Sequence, residues 1–351
     1  MNNVEEIMHK LQQTIQNGTD IIPINFKVKP TKGQASVCHG YLKRDRSTEE
    51  SASTWLNERT SFTEIAEKYK KYDPTAIITE WPHHYASRFI SMSGVLAEGR
   101  NIFIVFPLAL GRAGKTESDY FGFEFIDVWE KVFDSIVFPC VEAVFCQESI
   151  AEISHVLKPV ITKTIYLASV FHEIGHRIGP WQVVPKRKSS LKLSRFYMDV
   201  LCELATDAFL ASFLTEFPEI KYFVILQRLF WFGRFGFSEA DQNGDINKDN
   251  DTWIASYLWI KLTKHSCIQK AGGKLAINIS KADQVFSEII NELECLGRQV
   301  YADNLNQDRL VHEWMSRSAP KLVDRFTIPT DLQKMFLHCT DINTKVEIKF
   351  D

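Results

Sequence analysis

Residues 169–180 read SVFHEIGHRIGP, with His172 and His176 four apart and Glu173 directly after the first. Residues four apart on an α-helix lie on one face, one turn above the other, so the two imidazoles can point at a common atom. Glu173 is rotated by about 100° from His172, which sets its carboxylate beside that atom. HExxH is thus an arrangement in which two imidazoles bind a divalent ion and a glutamate stands over an open coordination position. The preceding residues, VITKTIYLASVF (160–171), are largely apolar, so this helix draws its polar groups inward. Burying two imidazoles and a carboxylate without partners is costly, and a metal ion satisfies all three. Gly175 inside the motif lets another segment approach closely. Gly179-Pro180 is a helix stop, and the helix is predicted to run to it.

A zinc site needs at least a third protein ligand, and the next long helical stretch offers one. In SLKLSRFYMDVLCELATDAFLASFL (190–214), Arg195, Asp199, Glu203 and Asp207 recur at intervals of four. Their neighbours Val200, Leu201, Leu204, Ala205, Ala208 and Phe209 are apolar. A solvated face would be wider and would carry Lys or Gln as well. A narrow acidic stripe on an otherwise apolar helix points to carboxylates held inward for a purpose. Arg195 and Asp199 have the spacing of a simple i,i+4 ion pair.

HExxH followed on the next long helix by ExxxD resembles the gluzincin branch of the zincin metallopeptidases, the thermolysin-like clan. The resemblance covers about 40 of the 351 residues. It implies that His172, His176 and Glu203 bind zinc, that Asp207 orients a ligand histidine, and that Glu173 is the catalytic general base. A ligating imidazole usually donates its other N–H to a carboxylate, and an Asp one turn from Glu203 is placed for that. In the clan a Tyr or His from outside the two helices stabilises the oxyanion; His312 in RLVHEWM is the preferred candidate, with Tyr257, His265, His83 and His84 as others. The chain lacks a third histidine at HExxHxxGxxH spacing and a GxMEN segment, so the motifs point to a clan rather than a substrate. The expected function is a zinc-dependent hydrolase acting on a peptide or small amide. Two alternatives stand beside it: the same set of two histidines and one glutamate holding Fe²⁺ for small-molecule chemistry, and a non-catalytic binding protein with a structural metal. Glu173 speaks against the last, since structure alone requires no base there.

The bulk properties are those of a globular chain, 45% hydrophobic and 24% charged with a formal net charge of -3. No block of like charge implies nucleic acid or an anionic membrane; Lys186-Arg187-Lys188 reads as a solvated loop. The N-terminal MNNVEEIMHKLQQ has no apolar h-region, and no apolar run of about 18 residues implies a membrane span. Seven cysteines without CxxC spacing, four of them (Cys140, Cys146, Cys202 and Cys267) in apolar surroundings, read as buried free thiols. A cytoplasmic location, or export without an N-terminal signal, fits. DQNGDINKDND (241–251) has the composition of a calcium loop, but no register places Gly sixth and Glu twelfth, so it reads as a polar turn leading into a helix, DTWIASYLWIKLTKHS, capped by Asp251 or Thr252. Phe230, Trp231, Phe232, Phe235 and Phe237 read as core.

The predicted fold is α+β and helix-rich, with an N-terminal mixed α/β region over 1–150 and a helical zincin-like region over 151–351, joined at a soft boundary that allows one continuous domain. A helix is predicted over 1–17, strands at DIIPINFKVKP, TAIITEW and NIFIVFPLAL, and an exposed loop over 43–54. Further helices are predicted over 62–72, 281–300 and 304–318.

Overall fold

The computed structural model describes residue 18 and residues 20–28, 36–76, 78, 83–94, 103–107, 120–182, 191–239, 249–322 and 325–343. The helix predicted over 1–17, the basic loop at 186–188 and most of the loop 241–251 lie outside them.

The chain is α+β and helix-rich, a small sheet preceding a mainly helical region. Strands β1 (Ile21–Val28), β2 (Ser36–Arg44), β3 (His83–Met92), β4 (Phe103–Pro107) and β5 (Tyr120–Phe125) form a sheet in the order β1-β2-β3-β5-β4. Neighbours are antiparallel except β3 and β5, which run parallel with His84 opposite Gly122. β1 keeps the predicted alternation: Ile22 and Ile24 are buried, Ile21 and Pro23 exposed. Side chains at alternate positions of a strand face opposite sides, and Leu42, Phe123 and Phe125 continue this buried side, while Ala86 and Glu124 are buried on the other. β4 falls within the predicted NIFIVFPLAL.

Two N-terminal expectations are corrected. TAIITEW forms no strand at its described residues Thr75, Ala76 and Ile78. Helix Phe62–Tyr72, which forms as predicted behind a Ser61/Glu64 capping box, ends at Asp73, whose carboxylate accepts from Thr75 N (3.0 Å) and turns the chain. The polar stretch 43–54 is not a loop but enters helix Arg46–Asn57. Asp45 caps it by accepting from Thr48 N at 3.1 Å, and Thr48, Ala52, Trp55 and Leu56 are buried at helical spacing. The polar composition is the solvent side of an amphipathic helix.

β5 leads into Ile126–Val132, continued by a π-helical turn (Phe133–Val137) and Phe138–Val144. Gln147–Leu157 follows, then the motif helix Ile161–Gly175 and the acidic helix Arg195–Phe213. Pro218–Leu226 continues through a π-helical turn, Gln227–Gly233, into Arg234–Glu239. Asn250–Lys264, the hairpin β6 (Ile268–Ala271) and β7 (Lys274–Ile277), Ala282–Ala302, Gln307–Ser318, the short pair β8 (Lys321–Leu322) and β9 (Arg325–Phe326), and Thr330–Leu337 complete the described elements. The β6–β7 hairpin went unread because its strands are four residues each.

Buried side chains from sheet and helices make one cluster, in which Ile22 and Phe123 join Val170, Leu204, Leu226, Tyr257 and Ile289. The motif helix is buried nearly all round, the mark of a central helix. Its Tyr166 hydroxyl donates to the His84 carbonyl of β3 at 2.9 Å. Cys140, Cys202, Cys267 and Cys339 are buried free thiols, whereas Cys146 is only partly buried. Among the described residues no helix is long and apolar enough to cross a membrane.

Candidate metal centre

The motif helix ends at Gly175, four residues before the predicted stop. The amides of Arg177 and Ile178 bond back three residues, to Ile174 O and Gly175 O. Gly179 adopts φ 70°, and its N–H donates to the Asp73 carboxylate at 2.9 Å instead of continuing the ladder. His176 therefore sits on the first residue past the helix. It keeps its N–H bond to His172 O at 3.2 Å, and the two imidazoles stay one turn apart, ring centroids 4.6 Å and planes at 88°.

The acidic helix crosses at Gly175. A Cβ there would lie 2.8 Å from Thr206 Cγ2, a separation that real side chains do not tolerate. Gly175→Ala is expected to cost about 1–3 kcal/mol through overpacking and to push Thr206 away from His176. Denaturant unfolding reads the first effect, and unchanged stability would contradict the close crossing.

That crossing sets the geometry. His172 Nε2 lies 3.5 Å from Glu203 Oε2 and His176 Nε2 lies 3.5 Å from Glu203 Oε1, so one carboxylate straddles both rings. The next residues of the same helix stand on the Nδ1 sides. His172 Nδ1 is 3.5 Å from Asp207 Oδ1, and His176 Nδ1 is 3.2 Å from Thr206 Oγ1. Thr206 donates its single hydroxyl proton to Cys202 O at 2.8 Å, so toward His176 it can only accept, which places the imidazole proton on Nδ1 and leaves Nε2 with a free lone pair. The donor atoms of His172, Glu173 and His176 also lie within 4.8 Å of one another.

These residues fit a divalent ion. A charge-assisted N–H···O bond spans about 2.7–2.9 Å, shorter than the two Nε2–Glu203 separations. Ligand atoms about 2.0–2.2 Å from a tetrahedral ion lie about 3.3–3.6 Å from each other, and both separations fall in that range. Glu203 meets both Nε2 atoms at 3.5 Å, and Glu173 has a carboxylate oxygen within 4.8 Å of donor atoms of both histidines, so both carboxylates stand beside the two imidazoles.

Arg228, on the π-helical turn Gln227–Gly233, supplies the countercharge and is 2% exposed. Its Nη2 donates to Glu203 Oε2 at 3.2 Å, its Nε to Asp207 and its Nη1 to Asp251. Burial opposes ionisation of Glu203, but His172, His176 and Arg228 outweigh it and hold the carboxyl well below its usual range. Asp207 is lowered likewise, Arg228 and His172 overcoming burial. Burial pushes Asp251 up to about 6 against the pull of Arg228. Burial lowers His176. On His172 burial is overcome by Asp207 and Glu203, which carry it up to about 10.

Both carboxylates thus favour the protonated form of His172 in the metal-free chain, and metal binding at this ring is expected to displace that proton. Because its folded pKa lies above the ordinary 6.5, its contribution to metal-free stability is complete below about pH 6.5 and is lost as pH rises toward about 10. Zinc binding near about pH 8 is expected to release about one proton per chain, with affinity rising as pH rises. Calorimetry in buffers of different ionisation enthalpy counts that proton; a count of zero would contradict the assignment.

The fold resembles that of dipeptidyl-peptidase III. The chain superposes on dipeptidyl-peptidase III from Corallococcus sp. strain EGB with a TM-score of 0.61 at 11% identity, covering 94% of this chain and 59% of that one. Against DPP III from Caldithrix abyssi the TM-score is 0.59 at 13% identity, covering 100% of this chain and 67% of that one. The chain therefore spans about three-fifths to two-thirds of the length of these neighbours. No family model and no curated protein matches the sequence.

Other predicted residues fall as follows. His312 is hydrogen-bonded to Tyr197 of the acidic helix at 2.9 Å. The other proposed oxyanion donors are tied to carboxylates: Tyr257 to Glu292 at 2.7 Å, His265 to Glu288, and His84 to Glu124 at 3.1 Å. The side chain of His83 lies outside the described residues. Arg195 and Asp199 form the expected exposed ion pair at 3.3 Å. Phe230 and Trp231 are buried, as the core reading of that aromatic run required. The cap of Asn250–Lys264 is neither Asp251 nor Thr252 but Asp249, which accepts from Thr252 N at 2.7 Å, and this frees Asp251 for Arg228. Thr206 and Arg228 went unread. Thr206 lies between two predicted site residues, and Arg228 is a lone cation in the apolar run VILQRLFWF.

Proposed function

We propose that the chain is a zinc-dependent hydrolase of peptide or small amide bonds. His172, His176 and Glu203 are its metal ligands, Asp207 orients His172, and Glu173 is the general base. One observation carries this reading: both Nε2 atoms face a single carboxylate while Asp207 and Thr206 stand behind the two Nδ1 atoms, at 3.5 and 3.2 Å. Outer partners of that kind fix the tautomer of a metal-binding histidine. The fold likeness to dipeptidyl-peptidase III supports a peptide as the substrate class.

A zinc ion in this donor set supplies Lewis acidity toward the scissile carbonyl and lowers the pKa of a coordinated water to about 7. Glu173, 8% exposed, takes a proton from the attacking water and returns it to the leaving amine. His312, with Tyr197 behind it, is the proposed donor to the developing oxyanion. His312→Ala is expected to lower kcat by about 10²–10³-fold, the range for loss of one such donor, with metal content unaltered; an unaltered kcat would remove it from that role.

Elemental analysis of the purified chain, paired with hydrolysis of a peptide panel, tests the whole. The expected result is one zinc per chain and hydrolysis that stops on chelation and returns with zinc. One iron per chain with oxygen-dependent turnover, or zinc without hydrolysis of any amide, would overturn it.

A further inference from the structure

We infer that Arg228 is a positioning residue of the metal centre, whose guanidinium holds Glu203 and Asp207 in the rotamers that meet the two histidines before any ion arrives. The inference rests on the metal-centre reading above.

Glu203 and Asp207 are one turn apart on the same helix, and like charges at that spacing repel. His172 faces both from one side, which leaves their mutual repulsion uncompensated on the other. Arg228 reaches both from a different element, and its third contact, Asp251, comes from Asn250–Lys264. The fork is thus pinned at a far arm while its other two arms hold the centre. A planar group with five donors can serve three carboxylates at once; a lysine ammonium is a single point charge on a flexible stem. The cation lies over the Phe232 ring at 4.8 Å, which limits its own movement. Its π-helical turn is of a type frequent at functional sites. A fully buried arginine serving surface solubility or a loose ion pair would have no need of three carboxylate partners.

Zinc affinity of metal-free protein, measured by competition with a chromophoric chelator, tests this in wild type, Arg228→Lys and Asp251→Asn. The second readout is the visible d–d absorption of Co²⁺ bound in the site, which reports coordination geometry and does not move with stability alone. Arg228→Lys keeps the charge and loses the fork, and its affinity is expected to fall by about 10–100-fold, the range for loss of an outer partner, with an altered Co²⁺ spectrum. Asp251→Asn leaves all three ligands and Arg228 in place, and is expected to shift both readouts in the same direction by less. A folded Arg228→Lys with wild-type affinity and spectrum overturns the inference. If that variant does not fold, wild-type behaviour of Asp251→Asn overturns it instead. A wild type that binds neither ion overturns the metal-centre reading and this inference together, whereas zinc-binding variants indistinguishable from a zinc-binding wild type overturn the inference alone.

Discussion

Glu203→Ala is expected to leave the centre without metal and to take hydrolysis to background. The carboxylate lies within 3.5 Å of both Nε2 atoms, so its loss leaves two imidazoles to hold an ion that needs at least three protein ligands. The affinity loss should exceed the about 10–100-fold that follows removal of an outer partner. The fold should survive, because Arg228 keeps Asp207 and Asp251; one unpaired arm costs about 1–3 kcal/mol. Elemental analysis after dialysis, with circular dichroism as the fold control, decides the matter. A variant that retains stoichiometric zinc would remove Glu203 from the ligand set.

Glu173→Gln is expected to do the reverse: zinc content unaltered, kcat lower by about 10²–10⁴-fold, the usual contribution of a general base. Glutamine matches the shape of glutamate but cannot take a proton at neutral pH. Glu173 follows His172 in the chain and lies with the donor atoms of both histidines inside one 4.8 Å group, which is close enough to reach a water held between them. Steady-state kinetics on a peptide substrate, beside elemental analysis of the same sample, separates the two functions of the site. A kcat within a few-fold of wild type would show that the proton leaves by another route, and zinc lost along with activity would make Glu173 a ligand instead.

Much of this centre was legible before any fold was known. The pairing of His172 with His176, and of Glu203 with Asp207, depends only on the pitch of one helix. The reading failed where composition stood in for periodicity. Residues 43–54 look like a loop by their charge, yet Thr48, Ala52, Trp55 and Leu56 are a buried face once their spacing is followed. It failed at boundaries too. Gly179 reads as the helix stop, but the helix ends at Gly175, and the Gly179 amide is taken instead by Asp73, about a hundred residues earlier in the chain. The same holds at 249–252, where three candidate caps are adjacent and the choice of Asp249 follows the demand of Arg228 for Asp251.

The amino-acid sequence alone determined the helix-rich α+β class, the HExxH face, and the acidic stripe that was to meet it, since helical spacing is a local property of the backbone. Only the tertiary structure decided that the two helices cross at Gly175, that Thr206 stands behind His176, and that Arg228 closes the charge balance from a third element. Those contacts join residues about 20–30 positions apart or more, and over such distances the order of residues along a chain imposes no geometry until packing brings them together.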